Sequence, residues 1–134
     1  PTLNLRIKQI EFNALELARE LNKHPLVDKV YHPAIETSEN HDIWKRDFTG
    51  STGLFSFSLK KFYPQSKIKK MFSKISIFKL GYSWGGYDSL ITFPPLSKRQ
   101  FKTLLKGNLI RVYCGLEDSS DQIKDIINSL KALK

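Results

Sequence analysis

The stretch Leu109-Ile-Arg-Val-Tyr-Cys-Gly-Leu-Glu-Asp-Ser-Ser-Asp-Gln-Ile-Lys-Asp-Ile-Ile-Asn-Ser-Leu130 changes its hydrophobic period partway along, from two residues to the helical repeat. Leu109 to Leu116 reads as a strand. Its alternation puts Ile110, Val112 and Cys114 on one side and Leu109, Arg111 and Tyr113 on the other, so Arg111 points away from the more apolar face. Ile123, Ile126, Ile127, Leu130 and Leu133 then make a helical stripe, with Ser119-Ser-Asp-Gln122 as its capping box. Glu117 and Asp118, just ahead of it, suit the positive end of the helix dipole and can cap it.

The same two periods recur along the rest of the chain. Ile7, Ile10, Ala14, Leu17, Ala18 and Leu21 paint a stripe on a first helix that His24-Pro25 should end. Val27 to Tyr31 is a strand candidate, and Gly53 to Leu59 is another, with Phe55, Phe57 and Leu59 set against Ser56 and Ser58 as in a half-buried strand. Pro64 can open a helix carrying Ile68, Met71, Phe72 and Ile75 on one face, and Ile77 to Tyr82 follows as a strand. Ser97-Lys-Arg-Gln100 resembles a capping box for a short helix with Phe101, Leu104 and Leu105 on one side and Gly107 as terminator. Ile35 to Thr52 shows no clear period. Amphipathic helices at both ends with short strands between predict an α/β (α+β) class, a two-layer domain of one small sheet covered by helices.

Composition narrows the function classes. A chain of 134 residues with 40% hydrophobic content fits one domain with a real core. No apolar run approaches the roughly 20 residues that cross a bilayer, and the opening Pro-Thr-Leu-Asn-Leu-Arg has no secretory pattern, so a membrane role is not expected. The single cysteine, Cys114, excludes an intrachain disulfide and suits a reducing, cytoplasmic setting as a small buried apolar residue. A net charge of +9 raises nucleic-acid binding, but 17 Lys against 5 Arg, spread through every segment, do not make a base- or phosphate-reading device. The densest cluster, Lys67, Lys69, Lys70 and Lys74, reads as one helix's solvated side. His24, His32 and His41 lack metal-ligand spacing and suit turn or surface roles, and no Gly-x-Ser-x-Gly elbow, phosphate loop or dinucleotide fingerprint occurs.

The chemistry-bearing residues lie in Gly81-Tyr-Ser-Trp-Gly-Gly-Tyr-Asp-Ser-Leu90 and in Arg111. Amides near Gly85 and Gly86 can approach a ligand because no Cβ intervenes, and a guanidinium rising from a strand can grip a carboxylate through two parallel hydrogen bonds. Structural alternatives stand beside this: Arg111 paired with Asp88 or Glu117, Trp84 covering the sheet edge, and Gly85-Gly86 as an ordinary tight turn.

Four segments in order, Asp28 to Ala34, His41 to Phe57, Leu80 to Leu90 and Leu109 to Asp118, resemble the C-terminal domain of the transsulfuration family of pyridoxal-phosphate enzymes. Relatives commonly read Ser-Leu-Gly-Gly where this chain reads Ser83-Trp-Gly-Gly86, so Trp84 favours the cystathionine beta-lyase branch over the gamma-synthase and gamma-lyase branch. The resemblance implies that residues 1–134 form the small domain of a fold-type-I enzyme, with a mostly antiparallel sheet. It further implies that Arg111 binds the substrate α-carboxylate, that Ser83 and Trp84 help form the pocket, and that Tyr82 borders it. The Schiff-base lysine, the phosphate cradle and the other cofactor contacts belong, on the same resemblance, to a preceding large domain. The fragment is therefore expected to hold no catalytic residue, no cofactor and no metal, and to be inactive alone. The complete enzyme implied is a cytoplasmic homotetramer that cleaves cystathionine to homocysteine, pyruvate and ammonia. The chain is accordingly expected to be a fragment, an isolated domain or a truncated gene product, with a non-catalytic interaction module as the alternative. Trp44-Lys-Arg-Asp-Phe48 has no chemistry of its own and is expected to dock its loop or contact the absent domain.

Overall fold

α1 spans Leu3–Lys23 and stops at His24, whose extended backbone ends the helical run directly before Pro25. It is followed by β1 (Val27–Tyr31), α2 (His41–Asp47), β2 (Leu54–Leu59), α3 (Gln65–Phe72), β3 (Lys79–Leu80), β4 (Leu90–Thr92), β5 (Leu109–Tyr113) and α4 (Ser119–Leu130), with a 3-10 turn over Lys131–Leu133. This computed structural model describes residues 1–94 and 104–134. The strands form one sheet in the order β1-β2-β5-β4-β3; every neighbouring pair is antiparallel except β3 and β4, which run parallel.

β5 is therefore the middle strand. Its register sets Ile110 opposite Phe57 and Val112 between Phe55 and Ile91, so one face is apolar throughout. Ala14, Leu17, Ala18 and Leu21 of α1 and Ile126 and Leu130 of α4 bury that face, in one continuous cluster with Cys114, Ile68 and Met71. Burying each large apolar side chain contributes about 1.5–3 kcal/mol relative to leaving it exposed. Two layers result, as expected. Cys114 is fully buried, and desolvation pushes its thiol up in pKa, away from reactivity.

Several boundaries differ from expectation, each for a hydrogen-bonding reason. The strand expected from Ile77 to Tyr82 is reduced to Lys79–Leu80. The buried Asp125 carboxylate takes the amides of Ser76 (2.8 Å), Ile77 (2.8 Å) and Phe78 (3.0 Å), which leaves them nothing to offer a ladder. The strand expected to reach Leu116 ends at Tyr113 because Gly115 N turns to Ser89 Oγ (2.8 Å) and Leu116 N to the Tyr87 carbonyl (2.8 Å). α4 is capped by Asp118, not by a Ser119 box: its side chain accepts from the amides of Ser120 and Asp121, and Gln122 is buried in other bonds. Ser58 is buried instead of solvent-facing, since β2 lies inside the sheet with Lys29 and Leu109 on either side and the Tyr31 hydroxyl at 3.4 Å.

Within the aperiodic stretch Ile35 to Thr52, residues 41–47 form a helix, α2, that buries none of its side chains. The Ser97–Gln100 box and Phe101 lie outside the described residues. Leu104 and Leu105 are not helical, and Gly107 sits in a bend. The histidines serve turns. His24 Nδ1 accepts from Leu26 N and His32 Nδ1 from Ala34 N, while His41 meets the Pro33 carbonyl; His32 is buried, not a surface residue, and desolvation lowers its pKa. Among the described residues no cluster of His, Cys, Asp or Glu could hold a metal ion, and no helix is long and apolar enough to cross a membrane.

Candidate functional site

Arg111 rises from the central strand on the side opposite Ile110 and Val112, which pack in the core. Its cross-strand partners are Ser56 on β2 and Thr92 on β4, both short and polar, so the strand itself leaves room around the guanidinium stem. Nη2 donates to the Tyr82 carbonyl, and the Tyr82 ring lies beside the guanidinium at 5.9 Å. This contact uses only one of its five donors.

The carboxylates that would make Arg111 merely structural are engaged elsewhere. Asp88 pairs with Lys79 Nζ at 2.7 Å. Glu117 accepts from Ser89 N (2.8 Å), Ser89 Oγ (2.6 Å) and Gln122 Nε2 (3.2 Å). Burial pushes the Glu117 carboxyl up in pKa, but those donors outweigh it and hold it below its ordinary value. Among the described residues Arg111 pairs with no carboxylate.

The glycine turn lies beside this arginine. Residues 81–88 leave β3, pass Arg111 at Tyr82 and return to β4, and Tyr113, two residues beyond Arg111 on the same strand, donates its hydroxyl to the Gly86 carbonyl at 2.8 Å. Gly85 has φ +88°, a conformation that L side chains rarely adopt. Tyr82, Ser83 and Trp84 are all exposed, with Tyr82 at 66% and Trp84 at 65%. A groove of about 450 Å³ runs from Tyr82 and Thr92 toward Lys69 and Phe72 of α3, and a separate cavity of about 370 Å³ lies behind Trp84 and Gly85, walled by Ile7, Ile10 and Leu54. Arg111, Tyr82, Ser83 and Trp84 thus belong to one corner of the molecule.

Sequence reasoning missed the residues that hold this corner in place. Tyr113 donates to Gly86 within the turn, Ser89 at its far end accepts from Gly115 N, and Asn13 on α1 donates to the carbonyls of Gly115 (2.9 Å) and Glu117 (2.8 Å), tying the loop after β5 to the first helix. Asn13 carried a signal: a polar residue set beside Ala14 and Leu17 on the buried side of α1. Tyr113 carried one as well, as it shares the face of Arg111.

Pyridoxal phosphate requires a lysine amine, a phosphate cradle and a partner for its ring nitrogen. The corner around Arg111 does not fit those needs: a Cβ added at Gly85 or Gly86 would meet nothing within 4 Å, so the pair is an open turn and no cradle, and Lys79 is held by Asp88. What it offers is a fork of donors for a carboxylate.

A family model described as Cys/Met metabolism PLP-dependent enzyme matches residues 1–131. The chain is 42% identical over 130 residues to the cystathionine beta-lyase MetC of Escherichia coli K12, covering 93% of this chain and 33% of that protein. It is 37% identical over 137 residues to an L-alanine/L-glutamate racemase of Wolbachia pipientis, covering 98% and 34% respectively. A crystal structure of a putative O-acetylhomoserine (thiol)-lyase from Campylobacter jejuni, containing N'-pyridoxyl-lysine-5'-monophosphate, superposes with a TM-score of 0.80 at 29% identity, over 97% of this chain and 30% of that one. The chain spans about a third of the length of these relatives. With a matching model over nearly every residue, this chain belongs to the family of pyridoxal-phosphate-dependent enzymes of cysteine and methionine metabolism.

Proposed function

We propose that the chain is the C-terminal small domain of a cystathionine-cleaving carbon–sulfur lyase and supplies the substrate-carboxylate half of its site. The observation that carries this reading is the Arg111 guanidinium, oriented by the Tyr82 carbonyl, paired with no described carboxylate, and set beside the exposed Ser83-Trp84 turn. Two parallel N–H···O bonds from the remaining donors would fix both the position and the plane of an amino acid's carboxylate. Ser83 can add a hydroxyl donor, and the Trp84 indole can wall off water and so strengthen that ion pair. Holding the carboxylate still presents the substrate's α C–H in one orientation, an advantage that enters the rate as lost orientational entropy already paid. The cofactor, an electron sink for the bond-breaking steps, would be held by a part of the enzyme outside these residues.

A second reading has its own support, the 37% identity to an alanine and glutamate racemase over 98% of the chain. That reaction needs the same carboxylate grip, so Arg111 keeps its role and only the fate of the substrate differs.

One experiment separates them. This chain replaces the matching third of MetC, and the purified chimera, supplied with pyridoxal phosphate, is assayed for pyruvate from cystathionine and for D-alanine from L-alanine. Pyruvate release is the expected result, and racemisation without release would favour the second reading. Arg111→Ala should lower kcat/KM for cystathionine about 10- to 150-fold, mainly through KM, the loss typical of one hydrogen-bonded charged contact. A folded, cofactor-loaded chimera whose kinetics ignore that substitution overturns the proposal.

A further inference from the structure

β5 sends two side chains from one face to two carbonyls of the same exposed turn. Arg111 takes the Tyr82 carbonyl, and the Tyr113 hydroxyl takes the Gly86 carbonyl at 2.8 Å. Between those carbonyls lie Ser83 and Trp84. The two anchors differ in rigidity. The guanidinium is partly exposed, whereas Tyr113 is only 3% exposed. Its ring is fixed from behind by Gly53, where an added Cβ would stand 2.8 Å from Tyr113 Cε2, 2.6 Å from Ile10 Cγ2 and 2.4 Å from the Cys114 carbonyl oxygen.

Among the described residues the turn has little else to hold its tip. Gly85 and Gly86 have open space where side chains would be, Trp84 is 65% exposed, and the cavity of about 370 Å³ behind Trp84 and Gly85 gives the turn room to fall inward. Its far root is secured separately, by Leu116 N on the Tyr87 carbonyl and by Ser89 on Glu117, so those bonds do not position the tip. We infer that Tyr113 is a positioning residue of the carboxylate site, its hydroxyl pinning Gly86 so that Ser83 and Trp84 stay beside Arg111. This rests on the carboxylate reading of Arg111. Through Gly53 and Ile10 the pin also connects the turn to β2 and α1, making the site's geometry depend on packing at the edge of the core.

The test uses Tyr113→Phe, which keeps the buried ring and removes only the hydroxyl. In the 134-residue chain carrying Trp44→Phe, Trp84 is the sole tryptophan. The Trp84 fluorescence anisotropy should then fall, with amide exchange in β2 and β5 unchanged. In the MetC chimera the same substitution should raise KM for cystathionine about 2- to 12-fold, the effect of one net hydrogen bond, and leave kcat within about twofold. An unaltered turn in the folded variant overturns the inference, and so does a loosened turn with an unaltered KM. If Arg111→Ala raises KM and Tyr113→Phe does not, the Tyr113 assignment alone falls; if Arg111→Ala has no effect, the carboxylate reading falls with it.

Discussion

Glu117 shows how a single carboxylate can be structural next to a binding site. It lies one residue before the cap of α4, where a dipole role was the natural expectation, yet its oxygens accept from Ser89, just ahead of β4, and from Gln122 on α4, and so tie the segment after β5 to the end of the glycine turn. Because its folded pKa is held below the ordinary value, its contribution to stability is complete above the unfolded pKa, about 4.3, and disappears as the pH falls through the lower folded one. Urea midpoints measured across a pH series should therefore find Glu117→Gln less stable than the parent above about pH 6, with the two curves closing together in acid. Curves that stay parallel down to acid unfolding would contradict this assignment. Arg111 was legible because a cation inside an apolar strand stands out from its neighbours. Asp125 was not. Among Lys124, Ile126 and Ile127 it reads as an ordinary polar position on an amphipathic helix, and only the fold discloses that it binds three consecutive amides and shortens β3.

At the scale of elements, what could be read depended on whether apolar residues repeat. α1, β1 and the core of β5 were legible because Ala14, Leu17, Leu21, Val30, Ile110 and Val112 keep the period of the surface they bury. α2 was missed because it buries nothing: Ile43 and Phe48 are exposed, and the segment is organised by the stacking of His41 on Trp44 at 5.5 Å rather than by a stripe. Strand ends were misjudged wherever side chains claim the backbone's hydrogen bonds, and periodicity carries no trace of that. Gly53 marks the converse case, a glycine at a strand's start required by crowding and not by turn geometry. Since a Cβ there would collide with the Cys114 carbonyl and the Tyr113 ring, Gly53→Ala should cost about 1–3 kcal/mol, as for overpacked cores, and should loosen β2 from β5 first. Chemical denaturation together with amide exchange of Phe55 and Val112 measures both, and a variant as stable as the parent would show that the crowding relaxes freely.

For the molecule as a whole, net charge and charge arrangement point in different directions, and arrangement decides. A formal charge of +9 on 134 residues attracts polyanions at long range. Many of the cations, however, are already matched: Lys23 with Glu20, Lys29 with Glu39, Lys79 with Asp88, Lys106 with Asp28, Lys124 with Asp121, and Arg46 with Asp47. These pairs are spread over α1, β1, α2, β3 and α4, so among the described residues the neutralised cations are not gathered on one element. Lys67, Lys69 and Lys70 lie on α3, a short helix whose Ile68 and Met71 are in the core, while Lys74 stands in the turn past its end and not on the helix as expected; the helical patch is about two turns long. Affinity built on so few phosphate contacts falls steeply with salt, so a short duplex DNA retarded by this protein at about 20 mM salt should run free by about 150 mM. Tight retention at the higher salt, lost on replacing those four lysines with glutamine, would assign the α3 surface a nucleic-acid role alongside the carboxylate corner.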